Sequence, residues 1–183
     1  LAATALACRA YFGLDRLRIR LEGHGRAEIA PALDQSRTVG WFTTLFPALV
    51  DIGTAEDRSS AASQVASMLG AIPRKGIGYG LLRYLAPASA RAGLVFGPAP
   101  ELGFNYLGHF DTALGGGFHL ADEPTGGLLA PTLRRPELLD IEAAIIGGCL
   151  EMAIGYGERL HARATIERFA AAMRDALAPS AAD

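Results

Sequence analysis

The chain has 183 residues, 50% of them hydrophobic and 20% charged, with a net charge of -2. Such a chain can bury one sizeable core, and the near-neutral balance, with no Lys/Arg run interleaved with aromatics, argues against a nucleic-acid partner. No apolar stretch approaches the ~20 residues of a membrane span and no charged, cleavable leader opens the chain, so a cytoplasmic protein without a membrane partner is expected. The sequence starts at Leu1 inside an apolar helical pattern, which predicts a piece of a longer polypeptide. Cys8 and Cys149 lie far apart, with no CxxC pair and no histidine cluster, which predicts two reduced core thiols and no metal site.

Leu1 to Tyr11 is rich in Ala and Leu and reads as a helix, with Gly13 as its C-cap. Arg16 to Glu22 alternates: Leu17, Ile19 and Leu21 on one face, Arg16, Arg18, Arg20 and Glu22 on the other, the pattern of a half-buried strand ended by Gly23, His24 and Gly25. Val39 to Ile52 favours a strand that Pro47 is expected to break, with Trp41, Phe42 and Phe46 as core residues. Thr54 to Leu69 changes to a helical period, with Thr54 and Asp57 as a capping pair and Ala62, Val65, Ala66 and Leu69 as the apolar stripe.

Ile77 to Leu85 reads as a short helix and Ala86 to Pro100 as a connection. Leu102 to Leu107 is a short strand, and Gly115, Gly116 and Gly117 mark a loop. Asp140 to Ile146 and Cys149 to Tyr156 are strands joined at Gly147-Gly148, a hairpin signal. Ala164 to Leu177 closes the chain as an amphipathic helix with Ile166, Phe169, Ala170, Met173 and Leu177 inward. Mixed helices and strands predict the α/β class. The Gly76-Ile77-Gly78-Tyr79-Gly80 run lacks the lysine and the preceding strand of a phosphate-binding loop.

Four segments, in order, resemble the signature motifs of the epimerization domains of nonribosomal peptide synthetases, within the condensation-domain superfamily. Leu21-Glu22-Gly23-His24-Gly25-Arg26 resembles EGHGRE, and the segment from Arg37 through Trp41 and Phe46 to Pro47 resembles RTVGWFTxxYP. Pro73-Arg74-Lys75-Gly76-Ile77-Gly78-Tyr79-Gly80 resembles PxxGxGYG, and Phe104-Asn105-Tyr106-Leu107-Gly108 resembles FNYLGQ. Ala27 and His109 depart from the Glu and Gln usual in the first and last motifs.

The resemblance implies a chloramphenicol-acetyltransferase-like lobe, a mixed sheet flanked by helices, with residues 1–183 forming the C-terminal lobe of a two-lobed domain. It also implies an N-terminal lobe carrying an HHxxxDG motif. Such a motif does not occur in this sequence: none of His24, His109, His119 and His161 is adjacent to another histidine or precedes an xxxDG. The chain alone is therefore expected to have little or no activity.

The implied reaction inverts Cα of an aminoacyl or peptidyl thioester on a peptidyl carrier protein. No cofactor is bound directly; phosphopantetheine arrives covalently attached to the carrier. The reaction needs a base for the Cα proton and donors for the charge that grows on the thioester oxygen. The resemblance makes Glu22 the acid/base, Arg26 electrostatic support that orients Glu22 or stabilises the intermediate, Tyr106 a hydroxyl donor, Asn105 a ligand of the pantetheine amides and His24 a second substrate- or pantetheine-binding residue. Each has a plain alternative: solvated Glu22 or Arg26, core Tyr106, structural Asn105 or His24. At the level of the whole domain, the rivals are a condensation or dual condensation/epimerization lobe and a noncatalytic carrier-docking module.

Overall fold

The computed structural model describes residues 1–26, 34–110, 123, 126, 130 and 132–178. Ala27, the Gly115–Gly117 loop and His119 lie outside them.

Helix α1 (Ala2–Phe12) is built of strong helix formers and ends at Gly13 in the left-handed conformation, whose N–H bonds back to the Arg9 carbonyl. Strand β1 (Arg16–Gly23) keeps the expected alternation, with Leu17, Ile19 and Leu21 buried. Strand β2 (Thr44–Asp51) runs straight through Pro47. The expected break fails because β2 is an edge strand, which needs ladder bonds on one flank only.

Helix α2 (Arg58–Ala71) is capped by Asp57. Its partner is Ser60, which returns the bond to the cap, so the Thr54–Asp57 pairing is corrected; Thr54 accepts from Gln64 instead. The inward stripe is corrected too. Ala61 and Val65 are buried, with Met68 and Ile72 packed against the core, while Ala62, Ala66 and Leu69 are exposed. With apolar residues on several sides of α2, its own pattern does not single out the side that meets the sheet.

A short turn (Pro73–Gly76) leads to α3 (Ile77–Gly80), a wider turn over Leu81–Leu85 and α4 (Ala88–Arg91). Strand β3 (Leu102–His109) follows, then the β4 (Leu139–Ile146) and β5 (Cys149–Tyr156) hairpin through Gly147-Gly148, then helix α5 (Arg163–Leu177).

The strands form one mixed sheet in the order β2-β1-β3-β4-β5. The outer pairs are antiparallel, and β1-β3 and β3-β4 are parallel. Helices α1, α2 and α5 share one core with the inward side chains of the strands, centred on Ile19, Val50, Ile141 and Phe169. Fully burying each such side chain stabilises the fold by about 1.5–3 kcal/mol. The opposite sheet face carries Arg18, Arg20, Glu22 and the exposed Leu45 and Leu49. No helix among the described residues is long and apolar enough to cross a membrane.

Three further side-chain expectations are overturned. Leu177, expected inward, lies in the last turn of α5 and is 46% exposed. Trp41 precedes β2 in irregular chain and is 91% exposed. Cys149 sits at the hairpin turn and is exposed, while Cys8 is buried in α1. Burial pushes the Cys8 thiol up to about 11, because the thiolate loses hydration there. Iodoacetamide at pH 8 is expected to modify Cys149 while leaving Cys8 unmodified until the protein unfolds. Mass spectrometry of the alkylated peptides reads this directly; equal labelling of both thiols in the folded protein contradicts it.

Candidate functional site

Alternation along β1 sends Arg20 and Glu22 to the polar sheet face at the C-terminal end of the strand. The chain must then turn sharply. Gly25 has φ +65°, and a Cβ there would lie 1.4 Å from the Phe42 carbonyl oxygen, so only glycine fits beneath that loop. The turn is closed by the Arg26 backbone N–H, which donates to Nδ1 of the exposed His24.

The Arg26 side chain points into the following loop. It donates to the Gln35 and Thr38 carbonyls, both at 2.9 Å, and lies 4.3 Å from the centroid of the Phe42 ring. It braces the segment that covers Gly25, and its bonds go to that loop rather than to Glu22.

Strand β3 lies parallel to β1, with Phe104 opposite Leu21. Asn105 therefore emerges beside Glu22, and its Nδ2 donates to Glu22 Oε2 at 3.1 Å. Tyr106, one residue on, leaves β3 from the other face and is 50% exposed. Both faces meet at one open cavity of about 750 Å³, at the C-terminal end of β1 and beside the middle of β3. Glu22, His24, Asn105, Tyr106, Lys75 and Ile77 contribute to its wall, with Phe46 and Phe104 as apolar lining. Tyr106 and Glu22 thus share a cavity while starting from opposite sides of the sheet.

The cavity rim holds a strained turn. Arg74 and Lys75 adopt φ of +47° and +53° just before Gly76. Left-handed backbone in non-glycine residues costs about 1–3 kcal/mol each and persists where surrounding contacts impose it.

The charged partner of Glu22 is Arg20, only 14% exposed. Its Nη1 donates to Glu22 Oε1, its Nε to Glu137 and its Nη2 to Asp140 Oδ1 at 2.9 Å. Burial works against the charge on Arg20. The bonds to Glu137 and Glu22 and the fields of Glu137 and Asp140 outweigh it, so its proton is held more tightly than usual. The reach to Asp140 crosses β3 at Gly103, which pairs with Arg20 on one side and Asp140 on the other. A Cβ on Gly103 would come within 2.6 Å of Arg20 Nη2 and 2.3 Å of Asp140 Oδ1.

Sequence reasoning singled out Arg26 and missed Arg20. The signal was present: residues two apart on a strand share a face, so Arg20 and Glu22 had to be neighbours. Glu137 and Asp140 carried no such local signal, because strand order alone brings them near. Among the described residues, no set of three His, Cys, Asp or Glu side chains is placed to hold a metal ion.

A model of the family described as "Condensation domain" matches residues 1–183. Surfactin synthase subunit 1 of Bacillus subtilis (strain 168) is 38% identical over 170 residues, covering 92% of this chain and 5% of that protein. The epimerization domain from the third module of tyrocidine synthetase B superposes with a TM-score of 0.86 at 39% identity, covering 96% of this chain and 39% of that one. A condensation domain that mediates chain release from the enacyloxin polyketide synthase gives a TM-score of 0.62 at 17% identity, covering all of this chain and 36% of its own, a likeness of fold alone. The chain therefore spans less than half of either solved domain and a small fraction of the synthase.

Proposed function

Because this chain belongs to the Condensation domain family, we propose that it forms the C-terminal lobe of an epimerization domain in a nonribosomal peptide synthetase. The observation that carries this reading is the Glu22 carboxylate in the wall of the open cavity at the end of β1. The 39% identity to an epimerization domain, against 17% for the chain-release condensation domain, supports the choice between the two activities.

In this reading the substrate is an aminoacyl or peptidyl thioester on a carrier protein, delivered on the carrier's phosphopantetheine arm. Glu22 takes the Cα proton as its C–H bond breaks. The electron pair moves into the thioester carbonyl, giving an enolate, and a proton returns to the opposite face of Cα. That second face needs its own acid/base, which the N-terminal lobe supplies. Apolar surface at Tyr84, Leu85 and Val95, all strongly exposed, is available for such a neighbour.

The Tyr106 hydroxyl donates toward the oxygen on which charge develops. Asn105 holds one oxygen of Glu22 and presents its carbonyl to the pantetheine amides. His24 lines the pantetheine path, and Arg26 keeps the Gly23–Gly25 turn closed so that Glu22 stays at the wall. In this reading the proton transfers call for no metal ion or dissociable cofactor.

The test is an assay of the full-length domain with a carrier-bound L-aminoacyl thioester in D2O. Epimerization gives deuterium at Cα and a mixture of configurations in the hydrolysed amino acid. Peptide-bond formation with a second loaded carrier, without Cα exchange, would assign the chain to condensation instead. Carrier binding with neither reaction would make it a docking module.

A further inference from the structure

We propose that Arg20 is a positioning residue for the reaction: its guanidinium, anchored on Glu137 and Asp140 across Gly103, holds the Glu22 carboxylate in one orientation at the cavity wall. The inference rests on Glu22 being the acid/base and adds the device that aims it.

A glutamate side chain has three torsions, and a catalytic carboxylate displaced by about 1 Å can lose on the order of 10²-fold in rate. Here both oxygens are held, from different strands. Arg20 Nη1 donates to Oε1 and Asn105 Nδ2 to Oε2. Each oxygen keeps a further lone pair for a substrate proton.

The three donor groups of Arg20 go to three different carboxylates. Glu137, 7% exposed, and Asp140 already outnumber the one positive charge. The remaining arm goes to Glu22, the member of this cluster that lines the cavity. A planar, rigid fork can serve three partners at once, where an ammonium acts as a point charge.

The register completes the device. Arg20, Gly103 and Asp140 stand abreast on β1, β3 and β4, and the missing side chain at Gly103 leaves the passage through which the guanidinium reaches Asp140. The anchor is thus set by sheet pairing, which is stiffer than a loop.

The experiment compares Arg20→Gln, Arg20→Lys, Asp140→Asn and Glu22→Gln in the full-length domain. Cα deuterium exchange is followed as a function of loaded-carrier concentration, and folding is checked by circular dichroism and thermal melting. Arg20→Gln is expected to lower kcat by about 10–100-fold with KM within about twofold, since aim is lost and binding is kept. Arg20→Lys is expected to recover part of that loss, and Asp140→Asn to show a smaller fall of the same kind.

A folded Arg20→Gln domain with wild-type kcat, alongside a Glu22→Gln domain that has lost exchange, overturns the positioning role and leaves Glu22 in place. Wild-type exchange in Glu22→Gln overturns the acid/base reading itself. If Arg20→Gln fails to fold, Asp140→Asn decides: an unchanged kcat there overturns the anchor. A rise in KM equal to the fall in kcat across the series also overturns it, because that marks a damaged site rather than a misaimed base.

Discussion

Glu22→Gln in the full-length domain is expected to abolish Cα proton exchange, with a fall in rate of about 10²–10⁴-fold, the usual contribution of a positioned acid/base. The carboxamide matches the carboxylate in shape, so it can still accept from Arg20 or Asn105 while losing the basic oxygen. Arg20 keeps Glu137 and Asp140, so the variant leaves no guanidinium unpaired in this partly buried cluster. Carrier binding and thermal stability should therefore change little while exchange disappears, which places the loss in the chemical step. The check is the rate of deuterium incorporation at saturating loaded carrier. Exchange within a fewfold of wild type removes Glu22 from the mechanism.

Phe169→Ala is expected to produce the largest loss of stability, about 3–5 kcal/mol. Phe169 is 1% exposed and docks α5 onto α1, with ring centroids 5.5 Å from Phe12 and 6.2 Å from Tyr11. Truncation removes the apolar surface and leaves a cavity that three helices and a sheet cannot fully close. Domains of this size shift their melting temperature by roughly 2–4 °C per kcal/mol, so a drop of about 6–20 °C is expected. Urea denaturation should show a lower midpoint at a similar slope. A loss below about 1 kcal/mol means that α5 does not close this core.

Much of the site was legible because short segments carry it. The alternation of Leu17, Ile19 and Leu21 with Arg20 and Glu22 is a property of eight consecutive residues, and it survives intact in β1. The hairpin at Gly147-Gly148 and the helix that buries Ile166, Phe169 and Met173 were local in the same way. The errors arose where a local signal has two tertiary outcomes. Pro47 breaks a central strand and is tolerated in an edge strand. Trp41 looks like a core residue in any apolar run, yet it lies in the loop that Arg26 braces. Cys149 is apolar in type but sits beside a hairpin turn and is exposed.

By itself the amino-acid sequence determined which residues of β1 turn toward the core, where the closing hairpin turns, and that the Glu-Gly-His-Gly-Arg segment belongs at the end of a strand. These follow from side-chain periodicity and backbone freedom over a few bonds. Only the tertiary structure decided that Arg20, not Arg26, meets Glu22, and that Asn105 arrives from 83 residues away to hold its second oxygen. It also decided that Tyr106 reaches the same cavity from the opposite face of the sheet. The reason is that strand order and register are set by closing one core beneath five strands, and no short stretch of chain contains that information.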